Sequence, residues 1–105
     1  MELTSKQRAY LKSLGSKLEP AFSLGKSSVT PETIAALDEY FSKNELLKVS
    51  VLKNCEDDPR ELAEIIAGRT RSTVVHTIGR KIVLYRPDKD KPKIELPKAN
   101  KTKNN

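Results

Sequence analysis

A chain of 105 residues is enough for one compact domain with one core. Its 20 Lys and Arg exceed its 14 Asp and Glu, giving a formal net charge of +6, and this balance favours polyanionic partners: RNA, DNA or an anionic membrane surface. No apolar run approaches the roughly 20 residues of a membrane span, Met1-Glu2-Leu3-Thr4 lacks the basic and apolar regions of a signal peptide, and the single Cys55 excludes an intrachain disulfide. A cytoplasmic protein without membrane association is therefore expected.

Along the chain, Thr4-Ser5-Lys6-Gln7 reads as a capping box. Leu11, Leu14 and Leu18 follow at helical spacing with Tyr10 beside them, and Lys6, Arg8 and Lys12 lie on the other side. Gly15 suits a C-terminal cap, so the first helix is expected from about Ser5 to Leu14. Pro20 separates it from a short strand, Ala21 to Leu24. Thr30 caps a second helix that begins at Pro31, with Ile34, Leu37 and Phe41 inward and Asn44 as a left-handed stop. Leu46 to Leu52 alternates as a half-covered strand, with Lys48 and Ser50 opposite Leu47, Val49 and Val51. Asp58-Pro59-Arg60-Glu61 opens a third helix as a capping box, with Leu62, Ile65 and Ile66 inward and Gly68 at its end.

Thr73 to Ile78 and Lys81 to Tyr85 are β-branched runs separated by Gly79-Arg80, which suits a type II′ hairpin. The order α-β-α-β-α-β-β predicts an α/β fold with right-handed crossovers, parallel pairing and an antiparallel last strand: a four-stranded mixed sheet with packed helices. Residues 1–87 are read as the domain. Residues 88–105, rich in Lys, Pro and Asn, are read as a basic and largely flexible tail in which 93–97, with Ile94 and Leu96, is the stretch able to pack back. Residues 98–105 hold three Lys and no large apolar group, so their removal is expected to leave the fold intact.

Charge is unevenly spread. Residues 1–26 carry five basic and two acidic groups, 27–68 four basic and nine acidic, 69–86 five basic and none acidic, and 87–105 six basic and three acidic. A polyanion is thus expected to meet the two ends of the chain while the middle faces away. The loop Leu24-Gly25-Lys26-Ser27-Ser28-Val29-Thr30-Pro31 lies in the first of these basic ends, just before a helix start. Unpaired N–H groups, a glycine allowing close backbone approach and the charge of Lys26 make it a phosphate cradle in one reading. In the other, Gly25 only turns the chain from strand to helix.

Enzyme chemistry has little support. His76, the only histidine, falls inside a strand and reads as a sheet residue, and Cys55 has no cysteine partner or neighbouring histidine. Glu56-Asp57-Asp58 is explained by helix capping, and the Gly25 loop lacks P-loop spacing. No catalytic residue, metal or cofactor is expected.

Four stretches together resemble the CRM domain family (chloroplast RNA splicing and ribosome maturation), in its bacterial stand-alone YhbY form. They are Leu3-Thr4-Ser5-Lys6-Gln7-Arg8 with Leu11-Lys12, then Leu24-Gly25-Lys26-Ser27-Ser28-Val29-Thr30, then Asn44-Glu45-Leu46-Leu47-Lys48-Val49, and Ile78-Gly79-Arg80-Lys81-Ile82-Val83-Leu84-Tyr85-Arg86-Pro87. Lys93-Ile94-Glu95-Leu96-Pro97 resembles the family's ending. The resemblance implies a fold like the C-terminal domain of translation initiation factor three with an added N-terminal helix. It also implies RNA binding and association with large-subunit ribosomal precursors. The family's Gly-x-x-Gly loop maps onto Gly25-Lys26-Ser27-Ser28, with Ser28 in place of the second glycine. Serine takes a positive φ less readily, and its hydroxyl is able to donate to a phosphate.

The expected RNA-binding residues are Gly25, Lys26, Ser27 and Ser28 in the loop, Lys6, Arg8 and Lys12 in the first helix, and Arg69, Arg71, Arg80, Lys81 and Arg86. Phe22, Phe41 and Tyr40 are assigned to the core or its margin, so backbone and shape are the expected basis of recognition, more than base stacking. The expected partner is ribosomal RNA in large-subunit precursors, met by a monomer. The alternative is a protein-interaction module whose acidic middle helices bind a basic ribosomal protein.

Overall fold

The seven expected elements form in the expected order in the computed structural model, which describes residues 2–98. Apart from Lys98, the expectation for residues 98–105 lies outside the described residues. The first helix, α1 (Ser5–Gly15), starts at a complete capping box: Gln7 N donates to Thr4 Oγ1 at 3.1 Å, and Thr4 N to Gln7 Oε1 at 3.1 Å. Gly15 does not stop the helix conformationally, because the cap at Ser16 is right-handed. Its missing side chain serves packing instead: a Cβ there would lie 3.0 Å from Val83 Cγ1.

The strands β1 (Phe22–Leu24), β2 (Leu46–Val51), β3 (Thr73–Ile78) and β4 (Lys81–Tyr85) form one mixed sheet in the order β1-β2-β4-β3. Only the β1–β2 pair is parallel. Gly79 has φ 56° and Arg80 stays out of the left-handed region, as a type II′ turn between β3 and β4 requires.

The helices α2 (Pro31–Phe41) and α3 (Pro59–Thr70) cover one face of this sheet, and α1 covers the other. Alternation along the central strands serves both. Leu47, Val49, Val51, Ile82 and Leu84 pack with Leu37, Phe41, Leu62 and Ile66, while Leu46, Val83 and Tyr85 pack with Leu11. Between Val74 and His76 the register slips by one residue, a β-bulge that buries Val75 under α1.

Several helix boundaries and faces differ from expectation. Asn44 is not left-handed; it ends α2 by donating backbone N and side-chain Nδ2 to the carbonyl of Tyr40. Gly68 does not end α3. The helix continues because Ala67 and Thr70 are buried, with Thr70 Oγ1 donating to Ile66 O at 2.7 Å, and Arg71 takes the left-handed cap at φ 58°. Asp58 accepts from Arg60 N alone, without a reciprocal contact from Glu61. The buried stripe of α3 is Leu62, Ala63, Ile66, Ala67 and Thr70, which leaves Ile65 on its flank, 44% exposed. Tyr10 likewise stands off the apolar stripe of α1.

After Pro87 the chain turns back across the α1 side. The buried carboxylate of Glu45 accepts three backbone N–H groups, from Asp88 (2.6 Å), Lys93 (2.8 Å) and Ile94 (2.6 Å). Gln7 Nε2 holds Pro97 O at 3.0 Å, and Ile94 and Leu96 pack against the cluster around Leu11 and Tyr85. Burial, with the charge of Glu45, pushes the Tyr85 phenol above its ordinary pKa.

Candidate nucleic-acid interface

The loop after β1 is a tight turn, closed by Ser28 N donating to Gly25 O at 2.9 Å. Lys26 and Ser27 are therefore exposed at its tip. The left-handed residue is Ser28, at φ 56°, and not Gly25. A Cβ at Gly25 would come within 3.3 Å of Asn54 Oδ1, so a larger residue there would push the exposed Asn54 side chain aside. Ser28 Oγ is buried and has no hydrogen-bond partner among the described residues. The turn delivers the chain to Thr30, whose Oγ1 accepts from Thr33 N and starts α2. Lys26 thus stands ahead of a helix N-terminus, where partial positive charge accumulates.

Three of the expected RNA-binding arginines are engaged inside the protein. Arg80 Nε donates to Val51 O at 2.8 Å, and Nη2 to Leu52 O (2.7 Å) and Cys55 O (3.2 Å), which fastens the hairpin tip to the chain leaving β2. Arg8 Nη1 donates to the carbonyls of Val74 (2.7 Å) and Val75 (2.6 Å), pinning α1 to the bulge. It therefore turns toward the sheet and does not share the outer face of α1 with Lys6. Arg86 Nη1 reaches Asp38 Oδ1 (2.6 Å) and Thr70 O (2.8 Å), and its guanidinium lies 5.0 Å from the Phe41 ring centroid.

The expected basic set also divides between the two sides of the sheet. Arg69, Arg71 and Arg86 line a groove of about 1170 Å³ beside α2 and α3, together with Asp38, Asp88 and Asp90. They do not line up with the first helix. On the α1 side, Lys6 and Lys12 are exposed and Lys81 is half-buried. Two residues absent from the expected set join them. Lys48 and His76 lie on either side of Val83 in register, on the sheet face that α1 covers. Lys48 Nζ also donates to Leu18 O at 3.2 Å. Neither α1 nor the inward-alternating positions of the strands beneath it hold a carboxylate.

Among the described residues, no group of three His, Cys, Asp or Glu could hold a metal ion, and no helix is long and apolar enough to cross a membrane. Of the aromatic residues, Tyr85 and Phe41 are buried, and Phe22 packs edge-on to Tyr40 at 5.7 Å. Tyr10 is left as the exposed ring.

Residues 3–86 match the CRS1 / YhbY (CRM) domain. The chain belongs to this family. A protein of Bacillus subtilis named "Probable RNA-binding protein YqeI" is 44% identical over 95 residues, covering 90% of this chain and 99% of the relative. An "RNA-binding protein" of Haemophilus influenzae is 33% identical over 96 residues, with 91% and 96% covered. The solution structure of the hypothetical protein SAV1595 from Staphylococcus aureus superposes with a TM-score of 0.77 at 44% identity, covering 91% of this chain and all of that one. The three helices and four-stranded mixed sheet are thus those of a CRM domain. Ser28, at the position where the resemblance leads one to expect a second glycine, adopts the left-handed conformation.

Proposed function

We propose that this CRM protein binds RNA without catalysing a reaction, and that it acts on large-subunit ribosomal RNA precursors as an assembly factor. The observation that carries this reading is the α1 side of the molecule. Lys6, Lys12, Lys48 and Lys81 stand there with no carboxylate from α1 or the strand positions beneath it. Lys26 adds a positive charge at the exposed tip of the loop. Such a surface attracts phosphates whatever the base sequence. The relatives named as RNA-binding proteins support the same partner. Arg71 lies on the other side and is secondary in this reading, whereas Arg69 lies beside the loop, in a small pocket it shares with Ser27 and Ser28; Arg8, Arg80 and Arg86 shape the surface by holding its supports.

The test is a titration of the protein with a large-subunit ribosomal RNA fragment across a range of salt. Neutralising about four to six phosphates gives a log–log slope of roughly 0.7–0.9 per phosphate. Absence of binding at low salt contradicts the proposal. The acidic α2, with Glu32, Asp38 and Glu39 and no basic residue, favours a second reading, a surface for a basic ribosomal protein. Nuclease treatment separates the two, since only an RNA-dependent association with ribosomal particles disappears. A monomer working in the cytoplasm completes the proposal.

A further inference from the structure

His76, Val83 and Lys48 form one row across the α1 side of the sheet. Gly15 of α1 presses on Val83 in the middle of that row. Arg8 anchors the helix at Val74 and Val75, so Lys12, one turn later, comes down toward His76. Lys81 lies one row further along β4, paired with Ile78. The charges that act on His76 are cations, Lys12 and Arg8 from α1 and Lys48 from β2, with Lys81 of β4 one row beyond. His76 is half-buried and its ring makes no hydrogen bond among the described residues.

Burial, then the charges of Lys12, Lys48 and Arg8, hold His76 below its ordinary pKa of 6.5. The imidazole is thus neutral in the free protein at pH 7, within the positive field of these groups. An anion entering that field would remove the repulsion and favour the protonated ring.

We propose that Lys12 and His76 seat one backbone phosphate of the bound RNA, and that His76 carries a proton in the complex but not in the free protein. This rests on the RNA-binding reading given above. It adds a contact that the Gly25 loop does not supply and makes affinity depend on pH. The sign follows from linkage. The complex binds one more proton than the free protein between the two His76 pKa values, so affinity rises as pH falls through the bound-state value. It levels off below the free-state value.

Because His76 is the only histidine, its ring protons give a single assignable NMR titration. That titration is run on the wild-type protein with and without a large-subunit ribosomal RNA fragment, beside binding isotherms at about pH 5.5 and 8 for wild type and His76→Gln. The expected result is an upward shift of the imidazole titration on adding RNA, and a rise in wild-type affinity of about threefold to tenfold toward acid. The His76→Gln variant is expected to bind more weakly than wild type at about pH 5.5 and to lack the acid gain. RNA binding with an unmoved imidazole titration, or an equal acid gain in His76→Gln, overturns the inference while leaving RNA binding standing. Absence of binding at every pH overturns both. If His76→Gln does not fold, the wild-type titration alone decides.

Discussion

The two helical layers of this domain bury apolar surface in the same way but differ in charge. The α2/α3 layer seals the larger core, with Leu37, Phe41, Leu62 and Ile66 against the sheet, and α2 presents Glu32, Asp38 and Glu39 outward. The α1 layer covers a smaller cluster, completed by Ile94 and Leu96 from the returning chain, and α1 carries only basic charges. A net charge of +6 spread evenly would give a weak field on every side. Segregated, it sets the acidic groups of α2 and the basic groups of α1 on opposite sides of the sheet. The cations are also sorted by chemistry. Arg8, Arg80 and Arg86 use the planar guanidinium to bind converging carbonyls, whereas Lys6, Lys12 and Lys26 remain exposed.

The strongest way to break this arrangement is Glu45→Ala, which leaves three backbone N–H groups without their acceptor and frees the segment that completes the α1 layer. A loss of about 3 kcal/mol is expected in chemical denaturation, with the sheet and the α2/α3 core otherwise preserved. Arg80→Met is expected to cost about 2 kcal/mol by orphaning the carbonyls of Val51 and Leu52. Because Arg80 holds the end of the sheet next to the Gly25 loop, RNA affinity should fall with stability rather than independently of it.

Charge reversals sharpen the comparison directly. Lys6→Glu with Lys12→Glu should weaken RNA binding roughly tenfold and lower the salt slope by about two. Glu32→Lys with Glu39→Lys, on the opposite layer, should leave binding unchanged or slightly tighter. All four positions are exposed, so thermal melts should move little. Lys26→Glu tests the loop alone and should reduce affinity with stability held within about 0.5 kcal/mol. The smallest effect is expected from Ser28→Gly. Relief of the left-handed serine, partly offset by glycine's greater chain entropy, should stabilise the fold by about 0.5 kcal/mol. RNA binding should be kept. A clear loss of affinity with the fold intact would show that the serine side chain holds the loop in its binding shape.

Much of the fold is legible in the sequence because its signals are local. The Thr4 capping box, Pro31 and Pro59 at helix starts, and the Gly79 hairpin each act within a few residues. The stops were harder to read. Gly15 and Gly68 look like caps, yet one is a packing requirement against Val83 and the other lies in a helix prolonged by burial of Thr70. The candidate site is legible only in part for the same reason. Lysines at loop and helix surfaces can be found from the sequence, but the inward use of Arg8, Arg80 and Arg86 depends on carbonyls 16 to 67 residues away. Lys48 and His76 were missed because strand alternation places a residue on a face without saying which helix covers that face. Alternation around Leu47, Val49 and Val51 is the one signal that sets Lys48 apart from the main core.

The central claim is that RNA meets the α1 side and the Gly25 loop. Backbone amide NMR shifts, mapped while a large-subunit ribosomal RNA fragment is titrated into the protein, test it most directly. The account predicts the largest changes at Gly25 to Ser28, Lys12, Lys48, His76 and Lys81, with α2 and α3 largely still. Changes concentrated in the groove lined by Asp38, Arg69 and Arg71, with the α1 side unmoved, would contradict it.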